Sequence, residues 1–306
     1  VLLRLLPGLV ALVAVPFLLP DHLVYLACMV GTTAITAAGL TIVTGLAGQL
    51  SLGQAAFAAL GGYGTAQLAA MYGVPHWIGL PAFALVASAL GYVFGLLSLR
   101  VADHYLALAT MAVTAVVQLV LVHAEGLTGG AVGLPVPPLT FWDRELASPQ
   151  ELYAVIAPVL VLTLLAIHRL KATKLGRAFA AFRTSEIAAN SLGVPLLHTK
   201  SLAFALSAFF GAVGGGLAAL LTTYLDPAAF DIFASVRLLA VAVVGGMQSA
   251  VGPLIGSAIF VLMPEFLGEF GRALGLIFSI LLLAFILLAP NGITGILGTA
   301  VRRFGR

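Results

Sequence analysis

Charge is scarce in this chain. Aspartate, glutamate, lysine and arginine make up 8% of its 306 residues, against about 25% in soluble domains. So few charges cannot cover the surface of a water-soluble protein of this size. Long stretches also lack the polar face that a surface helix turns to water. A soluble globular domain is therefore excluded. Cysteine is nearly absent as well. Cys28 stands alone, which rules out an intramolecular disulfide, and its apolar setting suits a buried thiol. The six histidines are scattered, with no HExxH or other metal-ligand spacing, so the chain does not read as a metalloenzyme. No GxxxxGK[ST] phosphate loop occurs, so any ATP hydrolysis belongs to another chain. The net charge of +3 comes without a basic, aromatic-studded surface, and nucleic acid is not an expected partner.

What the chain has is apolar length. Hydrophobic residues make up 61% of it, and its mean hydropathy is +1.15. Apolar runs lie at 5–19, 23–43, 50–71, 78–99 and 106–122, and again at 152–167, 202–224, 233–244, 253–266 and 274–288. A helix needs about 20 residues to cross the hydrocarbon core, so the shortest runs are marginal. The opening VLLRLLPGLVALVAVPFLLP has the look of a signal peptide, but further runs follow at once and it reads as a retained first span. The expected fold is all-α: a polytopic integral membrane protein of about ten transmembrane helices, forming one transmembrane domain over residues 1–306 in contact with membrane lipid. The interval 123–151, with Gly129, Gly130, Pro135, Pro137 and Pro138, suits turns and short extended pieces in an external loop.

The few charges have a pattern. Arg169, Lys171, Lys174, Arg177, Arg183 and Lys200 gather between residues 169 and 200. Placing that segment in the cytoplasm and alternating ten spans puts 11 of the 14 Lys and Arg residues inside, leaving only Arg144, Arg237 and Arg272 outside. This is the cytoplasmic bias of membrane proteins, and it makes both termini cytoplasmic. The weak point is the pair of short runs around Gly245 and Gly246, which as one bent helix would change the count to nine.

Two glycine-rich breaks share a spacing. TGLAGQLSLGQ holds Gln49, Ser51 and Gln54 among glycines, and Gln49 and Gly53 are echoed by Gln248 and Gly252. The echo is compatible with a parallel internal repeat. Each break has two readings: a turn or close packing through small residues, or the lining of a passage, since non-helical backbone at membrane depth survives only beside protein or water. On the second reading Gln49, Ser51, Gln54 and Gln248 are the translocation-pathway candidates.

Within 169–200, residues 178–192 have helical spacing, with Phe179, Phe182, Ile187 and Leu192 as apolar contacts and Arg183 and Glu186 as i,i+3 neighbours. Ser185 is placed to cap a short helix with Glu186 in its first turn. Gly193 ends it and Pro195 blocks its continuation. Such a helix either lies on the membrane surface or docks into a groove on a cytoplasmic motor.

Five stretches carry a resemblance: TGLAGQLSLGQAAFAALGGYG (44–64), VADHYLALATMAV (101–113), GRAFAAFRTSEIAANSLGVPLLHTKSLAFALSAFFGAVGGGLAAL (176–220), VVGGMQSAVGPLIGSAIF (243–260) and LAPNGITGIL (288–297). Together they resemble the permeases of the branched-chain amino acid ABC transporters, in the longer of that family's two permease types. Ala102 and the Asp103-His104 pair depart from the family's pattern. Glu186-Ile187-Ala188-Ala189 with Gly193 is similar to the coupling motif of ABC importer permeases. The resemblance implies that Arg183, Glu186, Ile187, Ala188, Ala189 and Gly193 contact an ATPase subunit. It also implies no cofactor on this chain, with ATP and magnesium used by partner subunits. The implied partners are a second homologous permease, two cytoplasmic ATP-binding subunits and a periplasmic substrate-binding protein, in a bacterial inner membrane. The implied function is ATP-driven uptake of branched-chain or related small amino acids. Urea or short amides are the alternative cargo, and an ion-coupled secondary transporter is the rival class.

Overall fold

The computed structural model describes residues 16, 19–98, 103–141, 144–146, 148–267 and 292–295. Helix α1 (Asp21–Leu40) continues through a π-helical turn (Thr41–Leu46) into an unwound stretch, residues 47–53. Then come α2 (Gln54–Tyr72), α3 (His76–Ser98) and α4 (Asp103–His123). A loop region follows, with a four-residue helix, α5 (Glu125–Thr128), and short strands β1 (Leu134–Pro135), β2 (Leu139–Phe141) and β3 (Arg144–Leu146). The second half runs through α6 (Pro149–Ala172), α7 (Lys174–Thr184), α8 (Glu186–Ser191) and α9 (Leu196–Thr222). It goes on to β4 (Tyr224–Leu225), α10 (Ile232–Gly245) and α11 (Gly252–Leu267).

The expected count of about ten spans is overturned. Among the described residues, five helical stretches are long and apolar enough to cross a membrane: Asp21–Leu46, His76–Ser98, Tyr105–His123, Pro149–Ala172 and Leu196–Thr222. The run at 50–71 forms α2, whose glutamines and glycines dilute its apolar character. The runs at 233–244 and 253–266 form α10 and α11, of 14 and 16 residues. At 1.5 Å per residue α10 reaches only about 21 Å and the described part of α11 about 24 Å, against a core about 30 Å thick. They are two helices, not one bent one. The chain turns at 246–251 and folds back, so that Gly245 packs on Gly252 and Gly256 on Val241. Nearly all of the run at 5–19, the run at 274–288, both termini and Ala102 lie outside the described residues.

Helices α1 and α9 are mostly buried, whereas α3, α4 and α6 are mostly exposed. The exposed faces are apolar: Leu85, Leu90 and Leu97 on α3, Leu108, Val116 and Leu119 on α4, Leu162 on α6. Those faces suit lipid, and α9 forms the axis. It packs on α2, α3 and α1.

Close packing explains why α9 does not break at GAVGGG. Each glycine costs a helix up to about 1 kcal/mol relative to alanine, yet α9 runs on to Thr222. A methyl group at Gly215 would strike the Ala58 carbonyl, and one at Gly61 would strike that of Ala212. The two backbones therefore touch where side chains would hold them apart, which is how helices associate without a hydrophobic driving force.

The loop region forms short extended pieces, as its composition implies. β1 pairs antiparallel with β4 and β2 with β3. Tyr63 Oη donates to the Leu225 carbonyl at 3.1 Å, fixing β4 to α2. Ser148 caps α6 in a reciprocal capping box with Glu151.

Replacing Gly215 by leucine is expected to cost about 3 kcal/mol, the upper end of overpacking penalties, because carbonyl backbone cannot yield. It should lower the thermal unfolding midpoint of the detergent-purified protein. Gly126→Ala, where a methyl group meets nothing within 4 Å, should leave the midpoint unchanged.

Candidate functional site

An unwound backbone in an apolar bundle must find partners for its amides and carbonyls. Leu52 in the stretch 47–53 finds them on α4, and the residues flanking the stretch are held from α10 and α7. Leu52 N donates to Thr110 Oγ1 at 2.8 Å, and Thr114 Oγ1 donates to the Leu52 carbonyl at 2.8 Å. Both threonines stand on α4, one turn apart. From α10, Ser235 Oγ accepts from Ala55 N at 3.0 Å, just inside α2. From α7, Arg183 Nη1 donates to the Gly45 carbonyl at 3.0 Å, which holds the π turn from outside.

The four pathway candidates meet different fates. Gln54 is fully buried and bonded through both ends of its amide. Its Nε2 donates to the carbonyls of Thr36 at 2.8 Å and Ser207 at 3.2 Å, and its Oε1 accepts from Ser207 Oγ at 3.0 Å. It is a polar rivet joining α1, α2 and α9. Ser51 is buried and accepts from Gly53 N. Gln49 is buried too, with an Oε1 that finds no hydrogen-bond partner among the described residues. Gln248 is exposed at the tip of the α10–α11 hairpin. The shared spacing of Gln49 and Gln248 does not produce a shared environment. The two breaks do meet, since Gly45 packs against Met247. Lys171 Nζ also donates to the Gln248 carbonyl at 2.6 Å, tying the end of α6 to the hairpin tip.

The segment that follows is built by caps. Thr173 accepts from Gly176 N and starts α7. Ser185 adopts extended backbone, accepts from Ala188 N at 3.2 Å and starts α8, with Glu186 in its first turn. Gly193 closes that turn at φ +78°, a left-handed conformation that favours glycine. Phe179 and Phe182 are buried, as an inner apolar stripe requires. Ile187 and Leu192 are not part of that stripe. They stand 82% and 80% exposed, beside exposed Ala188 and Gly193, while Ala189 is buried.

Arg183 and Glu186 are engaged apart from one another. Arg183 holds Gly45, whereas Glu186 Oε1 lies 2.9 Å from the Nζ of Lys200 at the start of α9. The Lys200 side chain is only 3% exposed and its ammonium sits 5.1 Å from the centre of the Phe182 ring. Glu186 thus fastens α8 to a buried cation at the root of the axial helix.

Thr110, Thr114, Ser235 and Lys200 were not singled out in the sequence as site residues. The i,i+4 pair of threonines in an otherwise apolar helix was the available signal for the first two. Ser235 and Lys200 act through partners far away in sequence, which spacing does not reveal.

Taken together, these features define an integral membrane permease: a helical bundle with a side-chain-clamped break at the end of its first span and a capped, exposed helical knob beside it. The sequence profile of the family described as "Branched-chain amino acid transport system / permease component" matches residues 22–289. The chain is 32% identical to the high-affinity branched-chain amino acid transport system permease protein LivM of Salmonella typhimurium strain LT2, over 93% of this chain and 73% of that protein. It is 31% identical to LivM of Escherichia coli strain K12 over the same shares. It is 25% identical to the "Probable branched-chain amino acid transport permease protein LivH" of Methanocaldococcus jannaschii, over 85% of this chain and 87% of that one. No solved structure matches the chain. The chain belongs to the family of branched-chain amino acid transport permeases: it is a permease subunit of an ABC importer, a component of a multi-subunit complex in the inner membrane.

Glu186→Gln removes the carboxylate facing the buried Lys200 ammonium. It is expected to cost about 2 kcal/mol, the scale of a charge-assisted contact, seen as a lower unfolding midpoint. Adding Lys200→Met removes the cation as well and should recover part of that loss. A double variant less stable than E186Q would mean that the two groups are not coupled.

Proposed function

We infer that the segment from Arg169 to Lys200 faces the cytoplasm within a single transmembrane domain spanning residues 1–306. The segment receives there the stroke of an ATP-binding subunit. Its six basic residues support that side. The observation that carries the reading is α8 itself. It is a capped helix that exposes Ile187 and Leu192 almost completely, while Ala189 and Glu186 anchor it to the bundle. Apolar side chains held out in this way on a polar segment mark an interaction site. Ile187, Ala188 and Gly193 form its outer surface, with Glu186 and Ala189 behind them.

Two links lead inward from that surface. Arg183 ties α7 to the π turn at Gly45, immediately before the unwound stretch that carries Gln49 and Ser51 and leads to Gln54. Lys171 ties the end of α6, just before α7, to Gln248 at the hairpin tip. A push on α8 therefore reaches both breaks through side-chain contacts. A change of state follows if ATP binding favours one arrangement of these links over the other. The Oε1 of buried Gln49, without a hydrogen-bond partner among the described residues, is a group that a second arrangement can satisfy.

The importer this implies has a second homologous permease, two ATP-binding subunits and a periplasmic substrate-binding protein. Its cargo is a branched-chain amino acid, as the names of the LivM relatives indicate for those proteins.

The test starts from a chemical convenience. Cys28 is the sole cysteine of the chain and is fully buried. An Ile187→Cys variant therefore presents one reactive thiol. In the active complex, a short bifunctional reagent on that thiol should capture an ATP-binding subunit, and ATP should change the yield. A complex that imports labelled leucine yet never gives this product would refute the contact.

A further inference from the structure

Arg237 stands out as a charge on its own. It is the sole charged residue of α10, IFASVRLLAVAVVG, and lies almost two turns in from the Asp231 cap. It makes no hydrogen bond or ion pair among the described residues. An arginine in an apolar membrane helix costs about 2.5–3.5 kcal/mol on insertion scales, so such residues face protein or a wet cavity and mark function. Arg237 is exposed and lines a cavity of about 570 Å³ between α1, α2, α9, α10 and α11. That volume falls within the roughly 300–1,000 Å³ of small-molecule sites.

The rest of the lining complements it. Glu265, from the other arm of the hairpin, supplies the opposite charge, and its Oε1 lies 2.8 Å from Nε2 of His22 at the start of α1. Thr33 lines the cavity without a side-chain hydrogen bond among the described residues. The neighbouring Thr32 donates its proton back into α1, which leaves its oxygen as an acceptor. The walls are otherwise largely apolar, with Met29 and Phe230 among them. A cation, an anion, acceptor hydroxyls and an apolar wall in one cavity are the complement of an aliphatic amino acid in its zwitterionic form.

We propose that this cavity is the permease's own cargo site, with Arg237 gripping the α-carboxylate, Glu265 and Thr33 receiving the ammonium, and the apolar wall taking the branched side chain. The proposal rests on the reading of the chain as a branched-chain amino acid importer and names the residues that read the cargo. The planar guanidinium fork matches a carboxylate through two parallel hydrogen bonds. Urea and short amides carry no carboxylate and leave Arg237 unanswered, so the site selects against them. The cavity also lies away from the α7–α8 segment. It opens beside the Asp231 and Glu265 ends of the hairpin, while the hairpin tip meets the π turn and the end of α6. Arg237 and Glu265 are thus set apart from the hairpin tip that meets the ATP-driven contact.

The experiment uses the complete complex in proteoliposomes, with Ala229→Cys as a reporter, because Ala229 is exposed and lines the cavity. Labelling by a small thiol reagent is followed by the intact mass of this chain, whose Cys28 is buried. Leucine at about ten times its Kd should slow labelling about tenfold by simple occupancy. Isoamylamine, which lacks the carboxylate, should not slow it. Adding Arg237→Met should abolish protection by leucine, and Arg237→Lys should retain part of it. If leucine protects equally well in R237M, as expected if Arg237 only holds a lipid phosphate, the assignment is overturned. It is equally overturned if leucine fails to protect the A229C complex. ATP-driven leucine uptake by the unsubstituted complex is measured in parallel. Its absence refutes the importer reading itself, whereas uptake without protection refutes only this cavity.

Discussion

The structure depends on holding a piece of unwound backbone at the end of the first span. Where that stretch is buried, as at Gln49, Ser51 and Gly53, each unmet amide or carbonyl would cost several kcal/mol. Thr110 and Thr114 clamp Leu52 from α4, Ser235 steadies the start of α2, and Arg183 reaches in from α7 to Gly45. Four parts of the chain far apart in sequence are thereby required to stay in register. The stretch is held by individual side chains and not by a helix ladder, so it is also the part of the interior with the simplest route to a second arrangement.

A second constraint is distance. The break can be reached from several helices at once because the helices around α9 pack closely. Glycine and alanine let α2 and α9 touch backbone to backbone, and the buried amide of Gln54 then spans from Thr36 on α1 to Ser207 on α9. Small residues give proximity, and the polar rivet fixes orientation. Neither suffices alone, because dispersion between smooth helices sets no register and an amide cannot reach across bulky side chains.

The α10–α11 hairpin links the two ends of the molecule. Its tip sits against the π turn and the end of α6, within two side-chain contacts of the α7–α8 segment. Its far end carries Glu265, and its first arm carries Arg237, both beside the cavity. Its first arm, at 14 residues, is too short to cross the hydrocarbon core. Gly245 at the tip and Arg237 in the cavity wall stand on one helix, about 12 Å apart along its axis.

Much of this was legible in the sequence, where local chemistry decides the outcome. The all-α membrane class followed from the lack of charge. The cap at Ser185, the turn at Gly193 and the short extended pieces of the loop region followed from residue types whose backbone preferences act over a few positions. The family followed from motifs spread along nearly the whole chain. Tertiary structure decided the rest. Apolar length alone overcounted the spans, because a run of small or apolar residues says nothing about whether a helix reaches across the membrane or turns back, as it does at 246–251. Gly211 to Gly216 sit in a continuous helix because α1, α2 and α3 pack against them. Glu186 was expected beside Arg183, but Lys200 holds it and Arg183 goes to Gly45. In each case the deciding partner is distant along the chain, and only folding brings it within bonding range.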